Sequence, residues 1–491
     1  MSPEAVDHDR MQMDHDPELD RYLEVNRERR MASYLEFLRI PGISSLPAHA
    51  SDCRLTADWV AGQLAAMGVE HVEVAETGGH PIVYGDWLHA EGAPTVLVYG
   101  HYDVQPVDPL GEWETAPFDP IVRGDRVIAR GAADDKGQVH MHLRAVEALL
   151  ETRGRLPVNM RFLIEGEEEI GSVHLDRWLE ANRERLHADL AVISDTRFFH
   201  GNLPALTISL RGMMYAQIDV SGPVQDLHSG GYGGAVRNPA NALCLIVGSL
   251  TSPDGRVLVP GFYDAVEPLS NAERAALAGL PFDEEAYRAA IGVPVLEGEP
   301  GYTTAERLAT RPSLDVNGLW SGFSGEGTKT IIPAHAHAKV SCRLVADQDP
   351  HRIFELLRAH VEAVAPAGVR VDVRLIGSAR PFQVSRDHPA IRAAGRAIEA
   401  TFGVPPVHAR EGVSIPVCAS LESALGLPIL LLGFGPPDDQ SHAPNEWMSL
   451  ANHETGIRTI ARLFDELAPM SPASWLPASM DDRRPDSQAP G

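Results

Sequence analysis

Four short apolar runs in this chain lead into the same kind of chemistry. The run 95–99 (TVLVY) leads into Gly100-His101-Tyr102-Asp103, and 159–164 (NMRFLI) leads into Glu165-Gly166-Glu167-Glu168-Glu169. The run 190–194 (LAVIS) is followed by Asp195, and 428–434 (PILLLGF) runs into a loop holding Asp438, Asp439 and His442. Apolar spacing predicts helices over 137–150, from Val173, over 389–402 and over about 452–467. Strands alternating with helices predict an α/β fold with a mostly parallel, doubly wound sheet. The strand ends of such a sheet share one edge, where ligands bind. Four strands that each deliver imidazole or carboxylate to that edge are the strongest functional signal in the chain.

With 491 residues the chain exceeds what one hydrophobic core holds, so two domains are expected. The texture changes near 205. Residues 205–221, 335–345 and 368–376 alternate like antiparallel strands, while 238–250 and 350–364 read as helices. Past about 382 the first texture returns. The expectation is a split catalytic domain, 18–205 plus 382–470, around an inserted α+β two-layer sandwich at 206–381. Residues 1–17 and 471–491 read as mobile tails, rich in Pro, Ser and Asp. Near the start, 19–38 and 51–67 carry helical patterns.

A formal charge of −26 argues against nucleic acid, whose phosphates need a basic surface. It reads as a solvated acidic surface rather than as a sign of a cationic substrate. Cys53, Cys244, Cys342 and Cys418 are scattered, with no CxxC pair, so neither a disulfide framework nor a zinc knuckle is expected. The acidic start lacks the basic and apolar segments of a signal peptide, and no apolar run approaches the roughly 18 residues of a membrane span. A soluble cytoplasmic protein without a membrane partner is the expectation. Lysine occurs only at 136, 329 and 339.

Imidazole and carboxylates without thiolate are the donor set of zinc-like ions. There are more carboxylates than one ion uses, which suggests two ions sharing a bridging carboxylate. The loop Arg130-Gly131-Ala132-Ala133-Asp134-Asp135-Lys136-Gly137 offers that bridge, although Asp ahead of a helix is also an ordinary N-cap.

HYDVQP, RGAADDKG, EGEEEIGS, SDT, DLHSG, GEGTKTIIPAHAHAKVSCRLV, REGVSIPV and DDQSHAPNE, in this order over about 20–468, closely resemble the metallopeptidase family of carnosinases, cytosolic non-specific dipeptidase, glutamate carboxypeptidase and acetylornithine deacetylase. HYDVQP, EGEEEIGS and the long insertion fit the dipeptidase branch. The resemblance implies two divalent ions per chain, zinc first, with manganese or cobalt as alternatives. His101, Asp134 and Asp195 would hold one, and Asp134, Glu169 and His442 the other. Glu168 would be the general base, and Asp103 would orient His101. The insertion would be a lid and dimerisation domain, making the protein a homodimer in which His228 reaches the partner's active site to stabilise the oxyanion. Without the resemblance, His228 reads as a surface loop histidine. Arg343, Thr330 and Ser414 would bind the substrate, a small peptide with a free C-terminal carboxylate, Arg343 as a bidentate fork. A cis Asp134–Asp135 peptide bond is also implied. Val413 stands where the family pattern has glycine, which restricts the backbone beside Ser414.

Dipeptide hydrolysis is the leading expectation. An N-acyl-amino-acid amidase or carboxypeptidase would use the same catalytic residues. A non-catalytic peptide-binding module would have lost the base or a ligand, and here Glu168 and all five ligand positions are present.

Overall fold

The computed structural model describes residues 16–412, 415–471 and 475. The chain forms two compact units. One comprises 1–208, 384–409 and 420–491; the other comprises 209–383 and 410–419. Residues 410–412 and 415–419, expected with the catalytic domain, cluster with the second unit.

The first unit is built on a twisted sheet. Its order is Glu70–Ala75, Ile82–Trp87, Asn159–Glu165, Thr95–His101, Leu190–Ile193, Ile429–Leu431 and Ala205–Leu210. The central strands Asn159–Glu165, Thr95–His101, Leu190–Ile193 and Ile429–Leu431 run parallel, and antiparallel pairs flank them. All four of the motif-bearing runs therefore point their C-terminal ends the same way, as expected of a doubly wound sheet. The last is shorter than its apolar run. Beyond it the amide of Phe434 donates to the side chain of Gln138 (2.8 Å) instead of a neighbouring strand.

The helix Lys136–Arg153 lies in the core, with Lys136 through Leu149 all buried. It stops at Gly154, whose left-handed φ of 64° releases the chain. Gly137 is required where the helix meets the preceding loop, because a Cβ there would lie 1.9 Å from the carbonyl oxygen of Ala132. The expected helix over 19–38 is two helices, Pro17–Val25 and Arg27–Leu38. Asn26, at φ −96° and ψ 10°, interrupts it, and its side-chain amide (2.9 Å) and backbone N–H (3.0 Å) both donate to the Tyr22 carbonyl. Residues 1–15, 472–474 and 476–491 of the expected tails lie outside the described residues; Trp475, read as part of a mobile tail, is buried.

The second unit is a two-layer α+β sandwich. Its antiparallel sheet has the order Ser313–Ser321, His335–Leu344, Gly212–Ser221 and Arg370–Ala379. Burial alternates residue by residue along Gly212–Ser221 and His335–Leu344, the period of a half-covered sheet. Helices Pro239–Gly248 and Pro350–Val364 cover it, with Leu243, Ile246, Ile353, Leu357 and Val361 in the shared core. The alternating stretch 205–221 divides at Arg211 into two strands. The division falls where the backbone meets its neighbours closely, since a Cβ on Gly212 would lie 2.6 Å from the nitrogen of Pro381. All four cysteines are free thiols. Among the described residues no helix is long and apolar enough to cross a membrane.

Candidate metal centre

His101 is the last residue of its strand and is fully buried. Its Nδ1 lies 3.1 Å from the carbonyl oxygen of Asp103 and 3.4 Å from that residue's carboxylate, contacts that favour a proton on Nδ1 and turn Nε2 outward as a donor atom. Nε2 has no hydrogen-bond partner, yet it lies 3.2 Å from Oδ1 of Asp134 and 3.8 Å from Oδ2 of Asp195. The other oxygen of Asp134 lies 3.0 Å from Nε2 of His442, which is also 3.2 Å from Oε2 of Glu169. Two groups result, His101–Asp134–Asp195 and Asp134–Glu169–His442, with donor atoms within 4.8 Å of one another in each. They share Asp134.

Asp103 does a second thing. Its carboxylate accepts the backbone amides of Glu168 (3.3 Å) and Glu169 (3.2 Å), so one side chain orients His101 and holds the turn of both glutamates. The Asp134–Asp135 peptide is cis. Asp135 turns away from the shared position, and its Oδ2 accepts the amide of His101 (3.1 Å). His442 sits at φ 63°, a left-handed conformation that costs a residue with a side chain about 1–3 kcal/mol. Neighbouring bonds stabilise its loop: Asp439 pairs with Arg197 (3.0 Å) and accepts the Ser441 amide (2.9 Å).

The electrostatics call for cations. Burial, reinforced by neighbouring carboxylates, pushes Glu168 up to about 8 and raises Glu169 and Asp195 as well. His101 is pulled down by burial but held well above its usual value by Asp103 and Asp134. Asp134 and Glu169 push His442 up to about 10. A buried cluster of carboxylates with an orphaned imidazole nitrogen among them is unfavourable without compensating positive charge. Divalent ions with oxygen and imidazole ligands fit this donor set.

The chain matches the model of peptidase family M20/M25/M40 over residues 97–466. It belongs to that family. Cys-Gly metallodipeptidase dug1 of Schizosaccharomyces pombe is 33% identical over 456 residues, covering 88% of this chain and 96% of the relative. The crystal structure of human carnosine dipeptidase 1 aligns with a TM-score of 0.76 at 29% identity, over 92% of this chain and 98% of that one. An M20 family metallo-carboxypeptidase from Sulfolobus solfataricus aligns with a TM-score of 0.79 at 32% identity, over 90% and 99%.

Of the residues singled out in the sequence, His101, Asp103, Asp134, Glu168, Glu169, Asp195 and His442 come together in the first unit of this M20 chain. His228, Thr330 and Arg343 belong to the second. His228 pairs with Ile331 in a two-residue ribbon, is exposed, and its Nδ1 accepts the amide of Gly230 (2.9 Å). Thr330 is exposed at the ribbon's start, and Arg343 lies on the strand His335–Leu344 opposite Met213 and Ser313. Ser414 and Val413 lie outside the described residues.

Sequence reasoning passed over two side chains that hold candidate ligands. Gln105 donates to Oε2 of Glu169 (2.8 Å), and Glu446 binds the loop of Asp134. Both stand inside quoted motifs, HYDVQP and DDQSHAPNE, which was the available signal. Lys136 turns out to be structural: buried, it donates to the carbonyls of Phe37 (3.1 Å) and Ile40 (2.6 Å).

Proposed function

We propose that this M20 chain hydrolyses the amide bond of dipeptides with a free C-terminal carboxylate, using two divalent ions that share Asp134. The observation that carries the reading is the division of one carboxylate between two histidines: Oδ1 of Asp134 faces His101 and Oδ2 faces His442. His101 and Asp195 complete one ligand set, Glu169 and His442 the other. Zinc is the first choice of ion, and manganese and cobalt suit the same donors. A bound pair supplies Lewis acidity and brings a water's pKa from about 15.7 toward about 7.

The chain's own groups do the rest. Glu168 takes a proton from the attacking water and returns it to the leaving amine. Its place on a turn tied to Asp103 keeps it beside the ligands without spending it as one. In the second unit, read as lid and dimerisation domain, Arg343 and Thr330 hold the substrate carboxylate, and Ser414 also binds the substrate. His228 donates to the oxyanion of the partner subunit's site in a homodimer. The relatives named as dipeptidases support the substrate class. The similarity to a metallo-carboxypeptidase keeps a second reading, cleavage of longer or N-acylated substrates, on the same residues.

The test is chelation followed by remetallation, assayed on Cys-Gly, β-Ala-His and N-acetyl amino acids. Activity should vanish on chelation and return with two equivalents of metal per chain, with dipeptides turned over fastest. Full activity at one equivalent, without a second binding event by calorimetry, would refute the pair. Faster turnover of N-acetyl amino acids would favour the second reading.

A further inference from the structure

The loop that carries Asp134 has no strand or helix ladder of its own; the helix begins only at Lys136. Three of its backbone amides, those of Gly131, Ala133 and Asp134, are satisfied from more than three hundred residues away. Oε1 of Glu446 accepts the amides of Ala133 (2.8 Å) and Asp134 (3.0 Å), and Oε2 accepts that of Gly131 (3.0 Å) and Nη1 of Arg130 (2.8 Å). The main chain of Glu446 joins in, its carbonyl accepting the amide of Ala129 (3.0 Å). Arg130 is anchored in turn, donating from Nη2 to the carbonyl of Pro106 (3.0 Å). Glu446 is fully buried, so water does not compete for these bonds. Burial pushes its carboxyl up to about 7, while Arg130 and the amides pull the other way, and the four donors on its two oxygens suit the ionised form, whose bonds are about twice as strong as neutral ones.

Glu446 stands four residues after His442 in the same loop. One short segment therefore presents an imidazole to Oδ2 of Asp134 and grips the backbone from which that carboxylate projects. Displacing the grip displaces the shared carboxylate relative to both histidines. An amide at 446, whichever way it turned, would put an NH2 group where one oxygen accepts two donors and leave both without an acceptor.

We infer that Glu446 is a positioning residue of the metal centre, setting the place of the shared carboxylate against His442 and so the affinity for the ion pair. The inference rests on the two-ion reading above. Glu446 touches neither substrate nor ion, and acts through the backbone of 131–134.

The experiment is calorimetric titration of metal-free protein with Zn²⁺ or Mn²⁺, for the unaltered chain, His442→Ala, Glu446→Gln and Glu446→Asp, with folding checked by circular dichroism. The unaltered chain should take up two equivalents and His442→Ala one. Glu446→Gln should bind metal about 10–100-fold more weakly, the range typical of groups that orient ligands. Glu446→Asp keeps the charge but retracts it by one methylene, and should fall between the two. In the Mn²⁺ protein, the paramagnetic resonance spectrum of the coupled pair should change in both variants. A purely structural Glu446 would lower the melting temperature and leave affinities and spectrum unaltered; that result in a folded Glu446→Gln overturns the inference while the two-ion reading stands. If Glu446→Gln does not fold, Glu446→Asp decides, and unaltered affinity there overturns it equally. Uptake of a single ion by the unaltered chain overturns the two-ion reading, and the inference with it.

Discussion

Apart from His442, which is exposed, the candidate metal ligands and the candidate substrate groups are held in opposite ways. In the first unit His101 is buried, its Nδ1 faces Asp103, and the loop bearing Asp134 is gripped by Glu446. In the second unit His228 and Thr330 are exposed on a two-residue ribbon, and the imidazole of His228 meets a neighbouring backbone amide. The difference follows from what each group must do. Several carboxylates stay close together only where buried hydrogen bonds fix them. A group that meets a substrate arriving from solvent must stay reachable. On the proposed reading, the first set is organised before substrate binds, and the second stays within reach of it.

The largest expected effect tests the first set from within. Glu168→Gln should lower kcat about 10²–10⁴-fold with both metal equivalents retained, whereas Glu169→Gln should lose one equivalent. Near-normal turnover in Glu168→Gln would show that the base is elsewhere.

His228→Ala tests the exposed set. It should reduce kcat about 10²–10³-fold, leave metal content and melting temperature unaltered, and so separate cleanly from ligand substitutions. Mixed with Glu168→Gln under subunit exchange, it should regain up to about half the activity of a native dimer in each heterodimer, because one site then has an intact base and a donated histidine. Absence of recovery after demonstrated exchange would break the cross-subunit assignment.

Beneath the fixed set lie histidines with no carboxylate beside them. Burial pulls His142 and His453 down to about 3 and His140 well below its usual range. An unfolded chain takes up protons at these groups below pH about 6.5 while the native chain does not, so stability falls as pH falls from there toward 3. At pH 5 the loss is about 2 kcal/mol each for His142 and His453. Urea unfolding of metal-free protein at pH 5 and 7 measures it, and His142→Gln should flatten the dependence by one histidine's share. An unchanged slope would mean that the core admits the charge.

The smallest effect sharpens the contrast at its edge. Gln105→Ala removes the amide that donates to Glu169 and should weaken one of the two metal equivalents about tenfold by calorimetry, with KM for a dipeptide little changed. A raised KM with normal metal affinity would move Gln105 to the substrate side.

Much of the fold was legible because its signals are local. The period-two alternation of His335–Leu344 and the apolar run ending at His101 are set by neighbours one to four residues away, and both elements form where their patterns lie. The break at Asn26 was not legible, since the helical spacing continues across it and only the backbone angles of Asn26 reveal the interruption. The grip of Glu446 was not legible either, because its partners lie over three hundred residues earlier and no periodicity connects them.

What the sequence determined alone is the supply: imidazole and carboxylate at the ends of parallel strands, placed there by apolar patterning. It did not distinguish among the surplus. Apart from the family resemblance, Glu165, Glu167, Glu168 and Glu169 are alike in a string, as are Asp134 and Asp135. Tertiary structure makes the selection by occupying some of them. Glu165 accepts from the hydroxyls of Tyr99 (2.7 Å) and Ser172 (2.9 Å), Glu167 pairs with His174 (2.8 Å) and accepts the amide of His80 (3.0 Å), and Asp135 accepts the amide of His101. A carboxylate committed to buried hydrogen bonds has given its lone pairs to the fold. Glu169 and Asp134 have oxygens still turned toward the histidines, and that remainder, decided by contacts between distant segments, is the candidate centre.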